Sequence, residues 1–212
     1  MTLFRLDASI RTEGSHSRAI ADIVEQGWRD GHPDETIVRR HIGTEPIPAD
    51  AWGLAAFAGY TPAELRSEEQ KAAQALAATL VDELVSADAL LFAVPLYNWG
   101  VSQHFKAYVD LVITDPRMAA GTEPLLRDKP AELVVVRGGS YAAGTPKEGW
   151  DHATPWYRRI LEDVWQLDLS VVETDLTLVG VNPALDQFQD IAAELRAEAE
   201  ELALKHGVAL GA

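Results

Sequence analysis

At 212 residues, 47% of them hydrophobic, the chain is long enough to bury one sizeable core, and a single domain over residues 1–212 is expected. Its formal net charge of -15 argues against nucleic acid or an anionic membrane surface as a partner, since both require a basic footprint. There is no cysteine, which excludes disulfides, thiolate catalysis and cysteine-based zinc sites. No stretch reaches the length of a membrane span, and Met1 to Leu6 is too short for a signal peptide, so a cytoplasmic protein is expected.

The chain opens with a β-prone run, Thr2 to Leu6, followed by the polar stretch Asp7 to Ser17. Ile20, Ile23, Val24 and Trp28 then recur at helical spacing, so a helix is predicted to begin close to Ser17, a good N-cap residue. Strand, hydroxyl-rich loop and helix in that order can hold a phosphate, through backbone N–H groups at the helix start and the hydroxyls of Ser9, Ser15 and Ser17. The alternative is that Ser15 and Ser17 only cap the helix. The glycines of a dinucleotide fingerprint or a P-loop are absent.

Thr36 to Ile42 is a second strand, reached through the Gly31-His32-Pro33-Asp34 turn. Pro46, Pro48, Trp52, Gly53, Phe57 and Gly59 mark a long irregular excursion, of the kind that serves as a cover or an interface. Thr61-Pro62-Ala63-Glu64 opens a helix predicted to run to about Ser86. Leu90 to Val94 is an unbroken apolar run ending at Pro95, which fits a strand buried on both faces of a parallel sheet. Directly after it, Leu96, Tyr97, Asn98 and Trp99 lie where a planar ligand could be stacked and hydrogen-bonded, although an ordinary strand-to-helix turn has the same composition.

Phe105, Tyr108, Val109, Val112 and Ile113 predict the next helix, and Glu132 to Arg137 a fourth strand. That strand runs into Gly138-Gly139-Ser140-Tyr141, where paired glycines allow close backbone approach or simply a turn. Trp150 to Trp165 reads as an amphipathic helix, Leu169 to Val181 as a strand, and Asp186 to His206 as the last helix. Strands alternating with helices predict an α/β doubly wound, five-stranded parallel sheet with helices on both faces.

In the strand order 2-1-3-4-5 the loops Ser9 to Ser17, Pro95 to Trp99 and Arg137 to Tyr141 fall side by side at the carboxyl edge of the sheet. Together they could grip one ligand with a phosphate at one end and a flat heteroaromatic ring at the other, a description that FMN meets. The same elements, with Pro46-Ile47-Pro48 and Phe105 to Asp110, resemble those of the FMN-dependent NADH:quinone oxidoreductases, or azoreductases, of the flavodoxin-like superfamily.

That resemblance covers nearly the whole chain and is most specific at Pro95-Leu96-Tyr97-Asn98-Trp99. It implies that Ser9, Ser15, His16 and Ser17 hold the phosphate, that Leu96 to Trp99 line the ring, and that Arg137, Gly138, Gly139 and Tyr141 lie along its far edge. It also implies a two-step reaction: NADH or NADPH gives hydride to the flavin N5, and a flat aromatic acceptor such as a quinone or azo compound then takes the electrons. No side chain need act as a catalytic acid. A homodimer is implied too, with Trp52, Phe57, Trp150 and Trp156 as linings of a shared site. The alternatives are a flavodoxin-type electron carrier, or the same fold turned to another reaction or a binding role. The histidines show no metal-ligand spacing, so no metal is expected, and Ser140 lacks the Gly-x-Ser-x-Gly elbow of hydrolases.

Overall fold

The computed structural model describes residues 1–119 and 121–210. Strands β1 (Thr2–Asp7), β2 (Thr36–His41), β3 (Ala89–Pro95), β4 (Pro130–Val136) and β5 (Asp168–Thr174) form one parallel sheet in the expected order, β2-β1-β3-β4-β5. Helices α1 (His16–Gly31) and α6 (Gln189–Ala209) cover one face. The other face is covered by α2 (Ala51–Ala58), α3 (Glu68–Ser86), α4 (Gln103–Val112) and α5 (Thr154–Arg158). No helix among the described residues is long and apolar enough to cross a membrane.

The pleat sorts side chains between two cores. Phe4, Leu6, Leu90, Phe92, Val94, Leu133 and Val135 point toward α2 to α5, whereas Leu3, Leu91, Ala93, Val134 and Val136 point toward α1 and α6. Because β3 is central and covered on both sides, all its residues are buried, which accounts for its unalternating apolar run. Each large side chain so buried contributes about 1.5–3 kcal/mol. On the other side α1 and α6 approach so closely that a Cβ at Gly207 would overlap the Val24 carbonyl, and one at Gly27 would lie 2.8 Å from the Leu204 carbonyl oxygen.

Four boundaries differ from expectation, each for a local reason. Helix α1 is capped by Ser15, whose Oγ accepts from Arg18 N at 3.4 Å, so it begins at His16, two residues earlier than a cap at Ser17 would give. The excursion between β2 and α3 contains α2, and α3 starts only at Glu68, where Ser67 and Gln70 form a reciprocal capping box. Asp151 accepts from the N–H groups of Ala153 and Thr154, so α5 starts at Thr154 and then widens into a π-helical turn over Arg159–Val164. Strand β5 ends at Thr174, and the residues after it turn across the carboxyl edge of the sheet.

Charge is buried beneath the site. Arg5, in the middle of β1, donates to Asp22 Oδ1 at 2.7 Å, Glu25 Oε2 at 3.1 Å and the Arg18 carbonyl at 3.3 Å, tying the first turns of α1 to the sheet. On β4, Glu132 is wholly buried, with Oε2 3.0 Å from His206 Nδ1 of α6 and Oε1 without a partner among the described residues. Burial pushes its carboxyl up to about 8.

A carboxyl raised in the folded state withdraws stability as pH climbs from its unfolded value toward its folded one. At about 1.4 kcal/mol per unit, the cost by pH 7 is on the order of 3 kcal/mol. Glu132→Gln, whose amide can still donate to His206, is therefore expected to match the parent near pH 5 and to exceed it in unfolding free energy at pH 7 to 8. Equal pH slopes in urea titrations of the two proteins would contradict this.

Candidate functional site

The carboxyl ends of the strands lie in register: Asp7 pairs with Ala93, Pro95 with Val136, and Val136 with Thr174. The loops leaving β1, β3, β4 and β5 therefore enclose a common cleft, of about 330 Å³. The crevice outside these strand ends is where ligands of open α/β sheets bind.

One end of the cleft is the start of α1. The N–H groups of His16 and Ser17 have no partner among the described residues, and the Ser15 and Ser17 hydroxyls lie 3.3 Å apart above them. Unsatisfied donors at the positive end of a helix dipole form an anion site. Ser9 Oγ accepts from Arg11 N at 3.3 Å, which folds the loop inward. Ser9, Ser15, His16 and Ser17 all line the cleft, together with Arg11.

The loop after β3 makes the opposite wall. Tyr97 and Gly100 exchange both backbone hydrogen bonds, and Asn98 and Trp99 between them have φ of 49° and 62°. This is the geometry of a type I′ turn, adopted here by two non-glycine residues at some conformational cost. The turn leaves the Asn98 and Trp99 N–H groups without a partner among the described residues. The Tyr97 hydroxyl accepts from Ile10 N at 3.2 Å and lies 3.5 Å from Ser9 Oγ, so Tyr97 braces the phosphate loop as well as lining the cleft. Beneath the turn, buried Tyr157 accepts from Ser102 N at 3.1 Å and donates to the Pro95 carbonyl at 3.3 Å.

The third wall follows β4. Gly138 and Gly139 line the cleft with Tyr141, Lys147 and Val136. A Cβ at Gly138 would stand 2.7 Å from Leu178 Cδ1, and one at Gly139 would stand 3.2 Å from Lys147 Nζ. A side chain at either position would have to displace the Leu178 or the Lys147 side chain.

Arg137 does not line the cleft. Its guanidinium turns away to Asp175 Oδ1 at 2.5 Å, Glu173 Oε2 at 2.7 Å and Asp151 Oδ2 at 2.9 Å, while Asp175 Oδ2 accepts from Tyr141 N at 3.0 Å. Arg137, expected along the ligand's far edge, is in this structure the centre of an ion-pair cluster that holds the Gly138-to-Tyr141 segment from behind.

Within the single chain, none of the four aromatic residues expected to line a site shared between two subunits borders the cleft directly. Trp52 and Phe57 are exposed on α2, and Trp156 packs edge-on against buried Phe105. Trp150 stands edge-on to Trp99, a lining residue, with ring centroids 6.1 Å apart. Conversely, Lys147, Thr177 and Leu178 line the cleft and were not singled out from the sequence. Thr177 and Leu178 lay hidden in a strand predicted to reach Val181. Applying the carboxyl-end rule to the loop of the fifth strand would have found them.

Although the chain carries 33 acidic residues, none of them lines the cleft, whereas Arg11 and Lys147 do. A flat ring bearing a phosphate suits this donor set. Neutral hydroxyls and helix N–H groups at one end would suit the phosphate, and the N–H groups of the β3 turn with the glycine backbone after β4 would suit the ring.

A family model described as flavodoxin-like fold matches residues 1–202. An FMN-dependent NADH:quinone oxidoreductase of Frankia alni is 39% identical over 200 residues, 93% of this chain and 94% of the relative. One of Streptomyces avermitilis is 35% identical over 204 residues, 94% of this chain and 92% of the relative. Among solved structures, azoreductase AzrA superposes with a TM-score of 0.78 at 21% identity, covering 98% of this chain and 99% of its own. An FMN-dependent NADH-azoreductase of Bacillus anthracis in complex with FMN superposes with a TM-score of 0.75 at 14% identity, covering 96% of this chain and 98% of its own. The two structural likenesses bear on fold alone. The chain belongs to the flavodoxin-like fold family and, within it, to the family of the FMN-dependent NADH:quinone oxidoreductases.

Proposed function

We propose that the protein is an FMN-dependent oxidoreductase that takes electrons from NADH or NADPH and gives them to a quinone, an azo compound or a related flat acceptor. The observation that carries this reading is the cleft itself, with an anion site at the α1 terminus facing a turn of free N–H groups, and no carboxylate in its lining. The curated relatives at 35–39% identity over nearly the full chain support it.

Bound FMN supplies the chemistry, accepting two electrons from the nicotinamide and releasing them to the acceptor. The chain's own residues position it. Ser9, Ser15, His16 and Ser17 hold the phosphate; Asn98 and Trp99 offer N–H donors to the ring; Gly138 and Gly139 let the backbone lie against it. The edge-on pair Trp99 and Trp150 forms the outer rim, where nicotinamide and acceptor would stack in turn. Donor and acceptor sharing one face predicts a double-displacement pattern, with parallel double-reciprocal lines when NADH and a soluble quinone are varied together. Intersecting lines would contradict it. Dependence on a nicotinamide donor supports a cytoplasmic location.

A homodimer forms part of this reading. Trp52, Phe57, Tyr60 and Leu65 are 55%, 71%, 89% and 70% exposed within one short segment, a concentration that marks an interaction surface. Light scattering on the purified protein tests it, with twice the chain mass as the expected result and a single chain mass as the contrary one.

The phosphate assignment predicts a selective defect. Ser17→Ala removes a hydroxyl whose hydrogen bond to a charged acceptor is worth about 1.5–3 kcal/mol. FMN affinity should fall by roughly 10- to 100-fold, while riboflavin, which lacks the phosphate, should bind as before. An equal loss for both ligands in fluorescence titrations would remove Ser17 from the phosphate site.

A further inference from the structure

The last helix also reaches the phosphate end of the cleft. Arg196 of α6 places Nη1 3.2 Å from Nδ1 of His16, the first residue of α1, and its Nε donates to Glu200 one turn further along α6. A guanidinium has no lone pair with which to accept and does not give up its proton at ordinary pH. The hydrogen bond therefore requires a lone pair on His16 Nδ1. That leaves the ring proton on Nε2. Since His16 lines the cleft and its Nδ1 edge is turned to α6, Nε2 is the nitrogen left for a ligand.

We infer that Arg196 is a positioning residue for the phosphate site, holding His16 as an Nε2–H donor toward the phosphate and barring a second proton from Nδ1. The inference rests on the FMN reading above. Its logic is that of a metal-bound imidazole, in which a partner on one ring nitrogen fixes what the other can do.

The electrostatic surroundings agree. Burial, then Arg196 and Arg11, lower the pKa of His16 below the usual imidazole range. The charged groups facing the ring are Arg196, with its partner Glu200, from α6, and Arg11 from the loop before α1; no carboxylate pairs with His16 among the described residues. A neutral donor is the form that these neighbours favour. The site then binds a phosphate dianion through an arrangement that does not change over the pH range in which an ordinary histidine titrates.

The test uses the full-length protein, the variants Arg196→Met and Arg196→Lys, and nitrogen NMR of the His16 ring with and without FMN from pH 5.5 to 8. The parent should show the Nε2–H form throughout, in both states. In Arg196→Met, Nδ1 is released, so the ring should titrate and sample both tautomers, and FMN affinity at pH 8 should fall about tenfold with riboflavin affinity unchanged. The ratio of variant to parent FMN affinity should recover as pH falls and the freed ring gains a second proton. Taking that ratio cancels the phosphate's own titration near pH 6. Arg196→Lys, which keeps a cationic donor, should restore the parent's pattern at least in part.

An Nδ1–H ring in the parent, or an Arg196→Met ring that keeps the parent's tautomer and does not titrate, would overturn the inference while leaving FMN binding standing. A parent that binds no FMN at any pH would instead overturn the cofactor reading and the phosphate role of His16 with it. Thermal unfolding of each variant checks that the fold is retained.

Discussion

Alanine at Gly43 is expected to cost the protein both stability and its grip on FMN. Gly43 follows β2 and lies against the loop leaving β1: its N–H donates to the Asp7 carbonyl at 3.3 Å, and a Cβ built on it would overlap the Ser9 carbonyl, with the Ala8 carbonyl carbon 2.9 Å away. The obstacle is backbone, which cannot swing aside as a side chain can. Overpacking of this kind costs typically 1–3 kcal/mol and occasionally more. At roughly 2–4 °C per kcal/mol for a chain of this size, that is a drop in Tm of several degrees. The strain should be relieved by moving Ser9, which carries the hydroxyl that shapes the phosphate loop and lies beside the Tyr97 hydroxyl. FMN affinity should therefore fall more steeply than global stability. Calorimetry with FMN titration checks both, and an unchanged Tm would show that the approach is looser than described.

Arg137→Met is the second change with a large expected effect. It leaves Asp151, Glu173 and Asp175 facing one another around a vacated position, with Asp175 buried and Asp151 nearly so. Removing one partner from a buried ionic cluster costs about 3–5 kcal/mol; partly solvated Glu173 argues for the low end.

The pH dependence has a definite sign. Burial raises Asp151, but the hydrogen bonds from Thr154 and then Arg137 outweigh it, so its carboxyl is held below the usual range in the parent. That stabilisation is present above the unfolded value near 3.8 and is lost as pH falls through the lowered folded value. The gap between parent and variant should thus be at its full size from neutrality down to about pH 4 and should close as pH falls below the unfolded value near 3.8. Because Asp175 also accepts from Tyr141 N, the variant's Gly138-to-Tyr141 wall should loosen and FMN should bind more weakly. A gap that widens on acidification would contradict the account of the cluster.

Much of this architecture was legible in the residues. The unalternating run Leu90 to Val94 fits a central strand covered on both faces, and the structure bears out the parallel sheet read from it and from the alternation of strands with helices. The seryl loop and the Tyr97-Asn98-Trp99 turn were legible because their chemistry is local: hydroxyls before a helix, and an amide with an aromatic after a strand.

What stayed hidden was set by contacts distant in sequence. Arg137 was read through its resemblance motif beside the glycine pair, whereas its ion-pair partners include Asp175, 38 residues on. Helix α2 has almost no polar face, being Ala-Trp-Gly-Leu-Ala-Ala-Phe-Ala between proline-rich and glycine-rich stretches, so periodicity could not reveal it. Which of Ser15 and Ser17 caps α1 depends on a hydrogen bond to Arg18 N that composition does not encode. Lys147 sits in the polar loop Ala142 to Gly149, where nothing in the chain marks it as a neighbour of Gly139. The same holds for Arg196, which meets His16 across 180 residues.

The measurement closest to the central claim is the visible absorption spectrum of the purified protein after incubation with FMN and desalting, followed by anaerobic NADH and then a quinone. The account predicts a flavin band that survives desalting, bleaches on addition of NADH and returns with the quinone. A band that survives but does not respond to nicotinamide would indicate an electron carrier, and no retained flavin at all would contradict the assignment of the cleft.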